Sequence, residues 1–442
     1  MTLLVLFFLI EFTIAFVISR GDFFRPSVIV SGLMFAASVC ALYLSFIWKF
    51  ELNLQSGSIL ALSVLVFVVI DFIVSRFYST RPNAIPPVSI KVNKIVIYFI
   101  TLFDCVVICY HFRFLKDNFG SFGSLSDMAT MYRKYIVWGV LEANMSRVLT
   151  RAIRFMQNFS FILLFVFLNN ILSGEKSRKN ILLLMPVALY MADSILMGAR
   201  GYIMYVIFAG LVYYYVLYQR KHGWQTKYSF RVVKKLIFTL FISAFGFVLM
   251  GNFVGRDSSN NMFYRLSRYF GGGIALFNDF IAGGGEASPG FGAVTFTDFY
   301  GFMHRRFGWT SYSDINQFEF RVYDGNNWGN VYTALRRYYQ DFGYLGTIIM
   351  VLILVVFFSV YYQRIKKAKN NFISEFAFIY YGILSRSLFL FFFDDEFFND
   401  FCTPSILIYL LEFLICLVIV DNRAKFKNGR IMNYERIQFP IT

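Results

Sequence analysis

Eleven apolar runs, each about as long as a membrane-crossing helix, dominate this sequence. A spanning helix needs about 20 such residues, with about 17 as the lower limit. The runs fall at about 2–18, 27–47, 57–75, 95–112, 155–172, 180–197, 201–218, 236–254, 344–362, 373–393 and 403–420. Such runs leave few structural options, because backbone N–H and C=O groups in hydrocarbon must be satisfied inside the segment, and a helix does that. Composition agrees: with 58% hydrophobic and 15% charged residues, the chain has too little polar surface for a water-soluble globule. The expected fold is all-α, a polytopic transmembrane helical bundle of about 11 spans. No basic residue precedes the first run and no small-x-small pattern follows it, so it is expected to stay as a span rather than be cleaved as a signal. Cys40, Cys105, Cys109, Cys402 and Cys416 lie mostly within apolar runs, and the histidines are only His111, His222 and His304. Neither set has the spacing of a disulfide framework or a metal site, and no metal or other cofactor is expected.

The net charge of +16 serves topology rather than nucleic acid, because the basic residues gather in short loops. Loops on one side hold 24 of the 42, among them Arg20 and Arg25, Arg76 to Lys94, Lys176 to Lys179, Arg220 to Lys235 and Arg364 to Lys369. The positive-inside rule makes that side cytoplasmic, with the amino terminus outside and the carboxyl terminus inside. The chain then divides into residues 1–252, spans one to eight with a smaller outer segment at about 113–154; residues 253–344, a large outer loop; and residues 345–442, spans nine to eleven and a cytoplasmic tail. Counting a re-entrant stretch such as 270–282 as a span would reverse part of this map.

Residues 253–344 carry the chemistry. The loop contains 24 aromatics, too many for a disordered linker, so it should fold against the membrane face. Its basic residues are all arginine: Arg256, Arg265, Arg268, Arg305, Arg306, Arg321, Arg336 and Arg337. A requirement for the planar, bidentate guanidinium would explain that bias, although carboxylates in the same loop must pair with some of them. Arg265 and Arg268 stand at i, i+3 and would lie side by side on a helix, which suits a phosphate or pyrophosphate. The run Gly271-Gly272-Gly273 after them reads either as a backbone approach to that anion or as a helix stop. Aromatics interleaved with polar residues, at Phe307 to Tyr312 and Tyr323 to Trp328, suit a wet groove for a glycan or an anchor at the headgroups. Residues 329–346 read as a helix reaching the membrane surface, with Arg337 and Asp341 one turn apart as a surface ion pair.

The ending Asn330-x-Tyr332, then Tyr339-x-Asp341-x-Gly343-x-x-Gly346, resembles the end of the large periplasmic loop in bacterial O-antigen polymerases of the Wzy type. The turn Gly198-Ala199-Arg200-Gly201 is similar to the Ala-Arg-Gly turn of these enzymes, and Arg-Gly-Asp-Phe-Phe-Arg-Pro-Ser at Arg20 to Ser27 also looks like family members. The resemblance implies a bundle similar to the glycosyltransferase C class, placed in the bacterial inner membrane with a periplasmic active face. It implies repeat-unit polymerisation: a glycan moves from its undecaprenyl pyrophosphate carrier onto the next lipid-linked unit. Donor and acceptor would both be undecaprenyl-pyrophosphate-linked glycans among membrane lipids, with a flippase and a chain-length regulator as further partners and no nucleic acid.

A departing pyrophosphate needs preorganised cationic donors. Arg200, in a tight outer turn between glycines, is the first candidate, followed by Arg265 and Arg268, with Arg305, Arg306, Arg336, Arg337, Asn330 and Tyr332 as further substrate contacts. Asp341, Asp298 and His304 are candidates for the base that activates the acceptor hydroxyl; two adjacent cations favour the neutral imidazole of His304. Glu11, Asp104 and Arg386 fall well inside spans, where charge is costly and marks either function or internal pairing. The rival readings are an O-antigen ligase using the same donor and a lipid-linked oligosaccharide flippase. A flippase would show two matching halves, which this sequence does not.

Overall fold

The computed structural model describes residues 1–78, 83–132, 145–253, 261–285, 288–309, 318–323, 326–421, 425–427 and 430–432. The chain is almost entirely helical. In order come α1 (Thr2–Ile18), α2 (Pro26–Trp48), α3 (Leu54–Phe77), α4 (Lys94–Phe119), α5 (Leu125–Tyr132), α6 (Arg147–Ser173), α7 (Ser177–Asn180), α8 (Leu184–Leu196), α9 (Gly201–Lys221), α10 (Thr226–Phe253), α11 (Met262–Ala282) and α12 (Thr297–Phe307). The hairpin β1 (Arg321–Tyr323) and β2 (Asn326–Gly329) follows. Then come α13 (Leu335–Lys367), α14 (Phe372–Leu384), α15 (Arg386–Phe389), α16 (Phe398–Phe401), α17 (Ser405–Val420) and a second hairpin, β3 (Lys425–Lys427) with β4 (Arg430–Met432). Among the described residues, seven helices are long and apolar enough to cross a membrane: α2, α3, α4, α6, α7 continued into α8, α9 and α13. Helices α1 and α17 are apolar but shorter. Large hydrophobic side chains such as Phe46, Phe99, Phe238 and Leu407 face outward, as they should on a bundle solvated by hydrocarbon.

The basic loops meet at one end of the bundle. Lys366 reaches Asp22 at 2.8 Å, Arg25 reaches Asp71 at 2.6 Å, Arg220 binds the carbonyl of Ala368, and the amide of Ile85 binds the carbonyl of Arg220. Helix α2 runs from this end to the other, about 34 Å at 1.5 Å per residue. There its last residue, Trp48, stacks on Trp328 with ring centroids 4.7 Å apart. Trp328 is therefore buried against the bundle rather than lining a wet groove, while Phe307 and Trp309 are exposed. Residues 310–312 of the first aromatic stretch, and residues 324 and 325 of the second, lie outside those described.

Helix α11 folds the large loop onto the bundle. Gly271 sits so close to α2 that a Cβ there would stand 2.3 Å from the backbone nitrogen of Ala41. One at Gly273 would stand 2.6 Å from the carbonyl oxygen of Phe392. The glycine run is thus neither a helix stop nor an anion loop: α11 continues through it, and the glycines allow backbone-to-backbone approach. Asn278, further along α11, ties the helix to the α2–α3 turn by accepting from the amide of Asn53 at 2.7 Å and donating to the carbonyl of Glu51 at 2.9 Å.

Two segments depart from the sequence expectation. The run 373–393 is broken: α14 stops at Leu384, α15 is one turn long, and the chain then makes irregular turns through the acidic residues 394–396. The helix expected over 329–346 begins only at Leu335, with its first turn buried, and is joined to the ninth span within α13 at Gly343, whose φ of 64° and ψ of −162° fall in a region open to glycine alone. Gly346 completes the kink, because a Cβ there would overlap Phe342.

Candidate functional site

At the end of the bundle opposite the basic loops, arginines and carboxylates from five segments converge. The α8–α9 turn supplies Arg200, which is buried and donates from Nη2 to the Tyr269 hydroxyl of α11 at 3.1 Å. That contact places Arg200 against the helical turn carrying Arg265 and Arg268, which stand at i, i+3 on α11 as the sequence suggested. Arg265 is buried and Arg268 half-buried.

The first turn of α13 supplies two arginines that diverge. Arg336 forks onto Glu319 at 2.9 and 3.0 Å and is packed among the rings of Phe280, Tyr332 and Phe318 at 3.7, 4.2 and 4.3 Å. Burial pushes the Glu319 carboxyl up, but the Arg336 guanidinium and the Tyr332 hydroxyl outweigh it and hold it down at about 2. Arg337 turns the other way, to Asp394 at 3.0 Å and the carbonyl of Val294 at 3.0 Å. The Arg337–Asp341 ion pair does not form. Instead Asp341 accepts the amides of Val294 and Thr295, at 3.1 and 2.6 Å, and the Ser288 hydroxyl. Arg337 and Asp341 therefore grip the two sides of Val294, which fixes the loop 288–297 to α13.

The third contribution is the acidic turn after α15. Arg386 pairs with Glu396 at 3.3 Å and with Asp400, while its guanidinium faces the ring of Tyr205 at 4.3 Å. The charge expected inside the tenth span thus lies beyond the end of α14 and is internally paired. Tyr205 donates to Glu396 at 2.8 Å, and Tyr338 to Asp395 at 2.8 Å. Burial pushes Asp395 up to about 6, against the opposing pull of the Phe397 amide, Arg337 and Tyr338. Burial also holds Glu396 well above the usual carboxylate range, with Asp400 adding to it. Glu319 is thus held low by its arginine and tyrosine, while burial holds Asp395 and Glu396 high.

The candidates on α12 stand elsewhere. His304, Arg305 and Arg306 are exposed on the last turn of α12, with His304 Nδ1 bound to the carbonyl of Trp309 at 2.8 Å. Asp298 is exposed on the first turn of that helix. Asn330 is half-buried after β2, and Tyr332 is buried with its hydroxyl on Glu319 at 2.8 Å. Sequence reasoning missed Asp394, Asp395, Glu396 and Asp400, although four of the chain's 26 acidic residues within seven positions was a signal. Comparison with protein-family models, curated proteins and solved structures found no match to this chain.

Proposed function

We propose that this protein is a polysaccharide repeat-unit polymerase, a membrane glycosyltransferase of about eleven spans that joins undecaprenyl-pyrophosphate-linked oligosaccharides at the outer face of the bacterial inner membrane. The reading rests on the sequence resemblance together with one geometric observation, the contact of buried Arg200 with Tyr269 beside Arg265 and Arg268. In this reading those three guanidinium groups hold the pyrophosphate as its bond to the sugar breaks, through forked hydrogen bonds that stay charged at any working pH. Arg336, Arg337 and Arg386 keep their carboxylate partners and set the shape of the site. The acceptor hydroxyl loses its proton to a carboxylate of the acidic turn, where Asp394 and Asp400 are the half-exposed members; Asp395 and Asp341 are occupied by the amides they accept.

Deletion of the gene in its host, followed by gel analysis of surface polysaccharide, tests the assignment. A polymerase leaves lipid A core bearing a single repeat unit. Bare core with polymer still on its carrier would make the protein a ligase, and units stranded inside the cell would make it a flippase. Arg200→Lys keeps the charge and loses the fork, and is expected to cost roughly 10²- to 10³-fold in polymer formed. Normal ladders from that variant would overturn the role given to Arg200.

A further inference from the structure

The motif Arg20 to Ser27 plays no part in the chemistry above, yet it is among the most tightly held segments of the molecule. Asp22 accepts the hydroxyls of Tyr215 and Tyr362, at 3.0 and 2.7 Å, and the ammonium of Lys366 at 2.8 Å. Arg25 is held by Asp71, which also accepts from Ser27. These contacts join α1, α2, α3, α9 and α13 around a cavity of about 210 Å³ at the basic end.

Cationic side chains outnumber carboxylates in that cavity. Arg20, Arg25, Arg76 and Lys366 line it, and the carboxylate lining it is Asp22, with Asp71 behind Arg25. Asp22 is committed to Lys366 and Asp71 to Arg25. Among the described residues Arg20 and Arg76 have no carboxylate partner, and both are exposed at the cavity mouth. Gln219, buried in the wall, has a side-chain oxygen with no hydrogen-bond partner among the described residues. Two surplus guanidinium groups suit a phosphate ester.

The surroundings point to a lipid. Val17, at the end of α1 just before the turn with Arg20, is 67% exposed, and Ile73 and Phe77, on α3 beside Arg76, are 44% and 82% exposed. A headgroup seated on the arginines would leave its acyl chains along that apolar wall.

We infer that the cavity between α1, α3 and α9 binds the headgroup of an anionic phospholipid, with its phosphate on Arg20 and Arg76. The inference does not depend on the polymerase reading, since it concerns the other end of the bundle.

Native mass spectrometry of the full chain, released from nanodiscs of phosphatidylcholine with or without phosphatidylglycerol, tests it. The wild type should retain phosphatidylglycerol over phosphatidylcholine. The double variant Arg20→Asn with Arg76→Gln should lose at least about tenfold of that preference. Asparagine is chosen because Arg20 has a φ of 57°, which Asn tolerates. Thermal melting provides the second measurement: phosphatidylglycerol should raise the midpoint of the wild type and not that of the double variant. Equal retention of the two lipids by the wild type, or undiminished preference in the variant, overturns the site. If inorganic phosphate displaces the lipid and gives the same thermal shift, the ligand is the free anion and the lipid assignment falls.

Discussion

Arg336 illustrates how much one side chain holds together here. It is 1% exposed, sits among three aromatic rings and forks onto Glu319. Arg336→Ala should destabilise the protein by about 2–4 kcal/mol, read as a lower melting midpoint in detergent, and Arg336→Lys should fall between that variant and wild type. Two nearby acids should show opposite pH dependence. The Glu319 carboxyl is lowered from 4.5 to about 2, so its stabilising contribution is complete above pH 4.5 and lost as pH falls toward 2. The Asp395 carboxyl is raised from 3.8 to about 6, so its contribution is complete below pH 3.8 and lost as pH rises through 6. Melting midpoints measured against pH should lose the first dependence in Glu319→Gln and the second in Asp395→Asn. The arginine bias of the loop was legible in the sequence; which arginines answer to carboxylates was not, because Arg336 and Arg337 are adjacent and reach partners 17 and 57 residues away.

The long helices could be read from run length alone, because hydrocarbon permits little else. The acidic turn could not. Phe389, Phe391, Phe392 and Phe393 read as membrane-facing continuation of α14, but Phe391 packs on Phe67 and Phe392 stacks on Phe270, so their apolar character serves the site. The glycines of α11 were visible and their use was not, since close approach depends on a partner helix more than 200 residues away. Gly271→Val should therefore displace α11 from α2 and cost about 2 kcal/mol or more, measured by thermal shift. Arg200 should then lose its neighbour Tyr269, so activity should fall with stability. Gly343→Ala should cost about 1–3 kcal/mol through backbone strain alone.

Across the whole molecule, the loops expected on one side of the membrane by charge are the loops that meet at one end in three dimensions, through contacts such as Lys366–Asp22 and Arg220–Ala368. Single cysteines introduced in a background lacking the natural five should report this with an impermeant thiol reagent. Positions on α12 should label from outside intact cells, and positions in the turn after α13 only after permeabilisation. Labelling of both from the same side would refute the topology. The break at Gly343 also separates two mechanical duties within α13. Bilayers of different thickness tilt a long span to match, and a straight helix would carry that tilt into whatever it bears at its end. With a glycine as joint, the two pieces are anchored separately: residues 335–342 by Glu319, Asp394 and Asp395, and residues 344–367 by Asp22 through Tyr362 and Lys366. The change of direction at Gly343 lets each end of α13 meet its own partners without one straight axis having to serve both.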